Sequence, residues 1–116
     1  MNNNNKLVTK LTNRIDFKHY ILNKSFVVVK ISATWCGPCK RATPYFNERF
    51  LNLSNNNVNL VLIDADEGAD ICSSLKVKSV PMYMFYKNGD CLEICISAEK
   101  KEIEYFFKQI KNHLNP

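Results

Sequence analysis

No run of apolar residues in this chain approaches the ~20 that a bilayer crossing requires, which argues against a helical membrane anchor. The opening Met1-Asn-Asn-Asn-Asn-Lys6 has no apolar stretch of the kind a secretory signal carries, and it is too poor in Arg and Ser for a transit peptide. Residues 1–5 are expected to be a disordered Asn-rich tail. Glycine is scarce, with only 3 residues, and none falls in a nucleotide-binding pattern. The chain is therefore expected to need no bound cofactor. Its two histidines, His19 and His113, stand far along the sequence from any candidate nucleophile, and neither is a persuasive general base. Acidic residues are in deficit, 11 against 16 basic ones, a net charge of +5. The lysines are scattered, however, and no basic helix face or Arg–aromatic interleaving appears, so no nucleic-acid partner is expected.

What is present fits one folded unit over residues 6–116, with 46% apolar residues and no internal repeat. Five cysteines, an odd number without a signal segment, point to a reducing compartment, and a cytoplasmic location is expected.

The informative stretch is Phe26-Val-Val-Val-Lys-Ile-Ser-Ala-Thr-Trp-Cys-Gly-Pro-Cys-Lys40. A β-branched run from Val27 to Ile31 predicts a buried strand, and a helical pattern follows the two cysteines. Two cysteines separated by two residues at a helix N-terminus in a strand–helix unit read as a dithiol redox site. That spacing lets Cys36 and Cys39 reach bonding distance with little backbone movement. At the helix start, free amides and the dipole favour a thiolate at Cys36, the expected nucleophile, below the ordinary thiol value of about 8.5. Cys39, one turn in, is the expected resolving thiol. Pro38 stiffens the turn without wasting an N–H, and Gly37 leaves room for a substrate backbone.

Along the chain, a short strand is expected over Lys6–Lys10 and a helix capped by Thr12 or Asn13 and ending near Asn23, with Ile15, Phe17, Ile21 and Leu22 as its apolar residues. The helix after the dithiol presents Cys39, Ala42, Phe46, Phe50 and Leu53, with a kink expected at Pro44. Val58–Ile63 reads as a parallel strand covered on both sides. A short helix over Gly68–Leu75 follows. Met82–Tyr86 and Cys91–Ile96 form a hairpin about Asn88-Gly89. The last helix carries Ile103, Phe106, Phe107, Ile110 and Leu114, with Ser97 expected as its N-cap. The fold class is α/β, a mixed sheet with helices on both faces.

Ser32-Ala-Thr-Trp-Cys-Gly-Pro-Cys-Lys40, Pro44, Asp64 to Asp66, Val80-Pro81 and Lys87-Asn-Gly89 stand in the order found in thioredoxins, and the chain resembles that family over roughly residues 6 to 115. The resemblance implies a thioredoxin fold, about five strands flanked by about four helices. It implies a protein-disulfide oxidoreductase that reduces partner disulfides through Cys36 and Cys39 and is recycled by an NADPH-dependent thioredoxin reductase. It also implies a substrate-binding surface of Trp35, Val80, Pro81 and Ser97, with a cis Val80–Pro81 bond facing the dithiol. A monomer is expected.

Each assignment has a plainer rival. Cys36 and Cys39 with Cys91 and Cys95 would make a zinc site, although Gly-Pro between the first pair suits redox chemistry better. Trp35 is either a shield and docking surface or simply core. Pro81 is either cis or a trans residue opening an edge strand. Ser97, where the family has Gly, either narrows the docking groove or caps the last helix. Cys72 reads as a small buried apolar residue. Cys91 and Cys95 are expected on one face of a strand, too far apart to bond. Lys40, Arg41, Lys76 and Lys78 form either a solvated rim or a steering surface for acidic partners.

Lys30 departs most from the family, which has a buried Asp there, while the neighbouring family Lys position is Leu62. Asp64 is a possible partner for it. A charged Lys30 near Cys39 would modulate the thiol and make the couple more oxidising or isomerising. Alternatively, the lysine snorkels to water and the protein merely lacks a proton acceptor. A binding module with the fold but without turnover is the remaining alternative.

Overall fold

The computed structural model describes residues 7–115, so the expected tail over residues 1–5, Lys6 of the expected first strand, and Pro116 lie outside the described residues. The chain runs β1 (Val8–Lys10), α1 (Arg14–Asn23), β2 (Phe26–Ser32), α2 (Gly37–Leu51), β3 (Val58–Asp64), α3 (Ala69–Leu75), β4 (Met82–Lys87), β5 (Asp90–Cys95) and α4 (Lys100–Leu114). The five strands form one mixed sheet in the order β1-β3-β2-β4-β5. β1 and β2 run parallel to β3, whereas β4 pairs antiparallel with both β2 and β5. The architecture is the mixed sheet with helices on both faces that the strand and helix patterns imply.

β2 is central because its residues can be buried on either side. Val27, Val29 and Ile31 enter the cluster with Phe17, Ile21 and Ile71, under α1 and α3. Val28 points the opposite way, into a cluster with Phe46, Phe50, Phe106 and Phe107 of α2 and α4. Phe46 is the hub of that second layer, its ring 4.6 Å from Tyr83 and 5.2 Å from Phe107. Truncating such a ring to Ala costs about 3–5 kcal/mol, a large share of the ~5–15 kcal/mol that stabilises a domain.

Local signals place the helices. The Asn13 side chain accepts the Asp16 amide at 2.9 Å and so caps α1, which buries Phe17 and Ile21 but leaves Ile15 and Leu22 in solvent. α2 passes through Pro44 without interruption from Gly37 to Leu51, its buried side held by Cys39, Ala42, Phe46 and Phe50. α4 buries Ile103, Phe106, Phe107 and Ile110 as its periodicity requires. Its start differs from expectation. The N-cap is Glu99, while Ser97 accepts the Glu99 amide at 3.0 Å from two residues upstream, ordering the approach to the helix rather than capping it.

The hairpin also holds a correction. Asn88 and Gly89 both adopt positive φ, 52° and 87°, as the tight turn demands. Beyond it, Tyr86 pairs with Cys91 but Phe85 pairs with Glu93, so Leu92 is an extra residue, a β-bulge. The bulge reverses the alternation. Cys95 joins Tyr83 on the α2/α4 side and is buried, while Cys91 is opposite Tyr86 on the other face and exposed. The two cysteines do not share a face.

Candidate active site

β2 delivers the chain to the dithiol. After Ser32 the backbone turns through Ala33, Thr34 and Trp35, and the Cys36 amide donates back to the Ala33 carbonyl at 3.2 Å. Cys36 is then the N-cap of α2, with extended φ and ψ, and Pro38 in the first turn needs no partner for a missing N–H. Cys36 and Cys39 are joined as a disulfide across Cα atoms 5.3 Å apart, within the range that such a bond accepts. Both residues are buried, at 5% and 2% exposure, with Ala33, and against Ala65 and Val80.

The Cys39 amide donates to Cys36 Sγ at 3.2 Å. This N–H stands at the positive end of α2, where a negative charge on the sulfur is favoured. The Val80–Pro81 bond is cis, and it sets the Val80 carbonyl 3.8 Å from Cys36 Sγ. Pro81 does not open an edge strand, since β4, which starts at Met82, lies between β2 and β5.

Trp35 belongs to the surface and not to the core. It is 67% exposed, and its Nε1 donates to Asp66 Oδ2 at 3.1 Å. The structure thus gathers Trp35, Cys36, Cys39, Val80 and Pro81 into one patch. Ser97 instead accepts hydrogen bonds from Cys95 at the end of β5 and from the Glu99 amide at the start of α4. Lys40, Arg41, Lys76 and Lys78 are all exposed.

Lys30 is the sole buried charged residue among those described, at 8% exposure. Its strand neighbours are Leu62 and Tyr83, neither of which offers a counter-charge. Nζ instead donates to Thr43 Oγ1 at 2.7 Å, and that hydroxyl donates to the Cys39 carbonyl at 2.8 Å. Asp64 does not pair with Lys30. One of its oxygens accepts the Asp66 and Glu67 amides at 3.0 and 2.9 Å, closing the turn after β3. Burial accordingly pushes the Lys30 ammonium below the usual lysine pKa.

The remaining thiols sit elsewhere. Burial raises the pKa of Cys72, Cys91 and Cys95 alike. Among the described residues no group of three or more His, Cys, Asp or Glu is arranged to hold a metal ion. Two residues of consequence carry no sequence signal of their role. Thr43 reads as an ordinary helix residue, and Asp66 as one acid of a loop.

The thioredoxin family model matches residues 8–111. Thioredoxin of Gallus gallus is 34% identical over 106 residues, covering 90% of this chain and 99% of its own. Thioredoxin H9 of Arabidopsis thaliana is 40% identical over 78 residues, covering 67% of this chain and 54% of its own. The crystal structure of oxidised mitochondrial thioredoxin 3 from Saccharomyces cerevisiae superposes with a TM-score of 0.76 at 32% identity, covering 88% of this chain and 94% of that one. With its dithiol at the start of α2, this chain belongs to the thioredoxin family and is a thiol–disulfide oxidoreductase.

Proposed function

We propose that the protein acts as a reductant of disulfides in partner proteins, with Cys36 as nucleophile and Cys39 as resolving thiol. The observation that carries this reading is the Cys39 amide aimed at Cys36 Sγ from the N-terminal turn of α2. Only the leading sulfur occupies that site, so it is the one stabilised as a thiolate.

In the first step the Cys36 thiolate attacks one sulfur of a partner disulfide. A mixed disulfide forms, and the partner's other sulfur leaves with the electron pair and takes a proton from solvent. Cys39 then loses its proton and attacks Cys36 Sγ. The intramolecular bond forms, the bond to the partner breaks, and the second partner sulfur leaves as a thiolate. The partner gains two electrons and this protein loses them.

The surface of Trp35, Val80 and Pro81 is suited to an extended partner segment, whose backbone would pair beside the Val80 carbonyl. Gly37 leaves that approach open, and Pro38 fixes the turn. Ser97 borders this path only if a bound segment extends to it. Turnover requires an outside reductant, and family membership favours an NADPH-dependent thioredoxin reductase, with no cofactor held by this chain. Its odd cysteine number favours a reducing compartment such as the cytoplasm, where it would act as a monomer.

Insulin-disulfide reduction tests the reading. The wild type is expected to turn over with dithiothreitol or a reductase, and Cys36→Ser to be inactive. Cys39→Ser is expected to stall as a mixed disulfide that identifies the partners. A Cys36→Ser variant with wild-type turnover overturns the assignment.

A further inference from the structure

Among the described residues Lys30 makes no ion pair. Its backbone lies in the middle of the sheet between Leu62 and Tyr83, and its ammonium reaches toward α2, 5.5 Å from the centroid of Phe46. It donates to the Thr43 hydroxyl, which itself donates to the Cys39 carbonyl. A cavity of about 410 Å³ opens beside it, lined by Val8, Asn47 and Leu62 among others, and no carboxylate stands in that lining. Every group facing the ammonium from β3, β4 and α2 is therefore neutral, apart from the sulfur of Cys39 one turn away.

Charge balance then depends on redox state. In the disulfide form Cys39 carries no charge, and the buried ammonium is uncompensated. Reduction creates a thiol that can ionise on the same side of the sheet, one hydrogen-bonded residue away. A buried cation favours a neighbouring anion in proportion to the low local dielectric. We propose that Lys30 is a positioning residue that, through Thr43, places a positive charge behind Cys39 and so favours the reduced form. The couple is thereby more oxidising than the same fold would be with a neutral residue there. This rests on the dithiol chemistry proposed above and adds to it the residue that sets the poise.

The test is equilibration with glutathione redox buffers. Exchange by the wild type tests the dithiol itself, and the variants test Lys30. Lys30→Met and Lys30→Gln, both close in length to Lys, are expected to shift the equilibrium about tenfold toward the disulfide, a fall of about 30 mV for a two-electron couple. Lys30→Arg, which keeps the charge, is expected to stay near the wild type.

A second readout excludes a merely structural role. Removing the cation is expected to raise the melting temperature of the oxidised protein more than that of the reduced protein, since only the former lacks a counter-charge. Overturning results are a wild-type equilibrium in Lys30→Met and Lys30→Gln, or equal shifts in the Met and Arg variants. An equal change in melting temperature for both redox forms overturns it as well.

Discussion

The indole of Trp35 is tethered to the carboxylate of Asp66 at 3.1 Å, although the two residues come from loops 31 positions apart. The bond crosses the mouth of the site from the β2–α2 turn to the loop after β3. It holds a large, exposed ring beside the sulfurs without burying it, which leaves the ring's apolar face free for a partner.

Asp66→Ala should therefore release the ring. Both groups are exposed, so global stability is expected to change by less than about 0.5 kcal/mol. The apparent KM for insulin is expected to rise about two- to fivefold with kcat little altered. Trp35 is the single tryptophan, so its fluorescence anisotropy reports the freed ring directly.

Thiol reactivity should single out one sulfur. The thiolate is the reacting species, and burial raises the pKa of Cys72, Cys91 and Cys95. Brief iodoacetamide treatment of reduced protein near pH 6.5 is expected to give one adduct, mapped to Cys36 by mass spectrometry. Equal labelling of Cys91, the exposed free thiol, would contradict it.

The glycines at 37 and 68 should respond in opposite ways. A Cβ on Gly68 would lie 2.7 Å from Ile63 Cγ2 and 2.9 Å from the Asp64 carbonyl oxygen, and the backbone cannot yield. Gly68→Ala is expected to cost about 1–3 kcal/mol in denaturant unfolding. A Cβ on Gly37 would meet only the tip of Arg41, at 3.2 Å. Gly37→Ala should keep near-wild-type stability, any loss appearing as weaker substrate binding.

Acid should loosen the contact between α1 and α3. The Arg14 backbone N–H and guanidinium each bond Asp70 at 2.7 Å, and they hold its carboxyl below the usual Asp value. A depressed folded-state pKa gives stability that is present above the unfolded value near 3.9 and is lost as pH falls through the folded one. Asp70→Asn should lower the melting temperature at pH 7 and show a shallower loss of stability below pH 4 than the wild type. Identical acid limbs would count against this pair.

Much of this was legible in the chain. The Val27–Ile31 run, the stripe from Ile103 to Ile110 and Asn88-Gly89 each carry a local period or turn preference that does not depend on their neighbours. Cys36 and Cys39 were equally plain, because their chemistry depends on two cysteines separated by two residues at a helix start. The cis Val80–Pro81 bond was expected from the family resemblance and not from any local rule.

What remained hidden was long-range pairing. Asp64 was the partner the sequence offered to Lys30, but the Asp64 carboxylate closes its own turn and the fold brings Thr43 to the ammonium instead. The face of Cys91 hinged on one bulged residue, Leu92, that alternation cannot foresee. Trp35 is at the surface, where its indole is held by Asp66 from a distant loop. Composition and period determine the elements and the reactive pair, since both arise from neighbours in sequence. Tertiary structure decides where a buried charge, a flipped thiol and an exposed ring find partners, because those partners are brought near only once the sheet has closed.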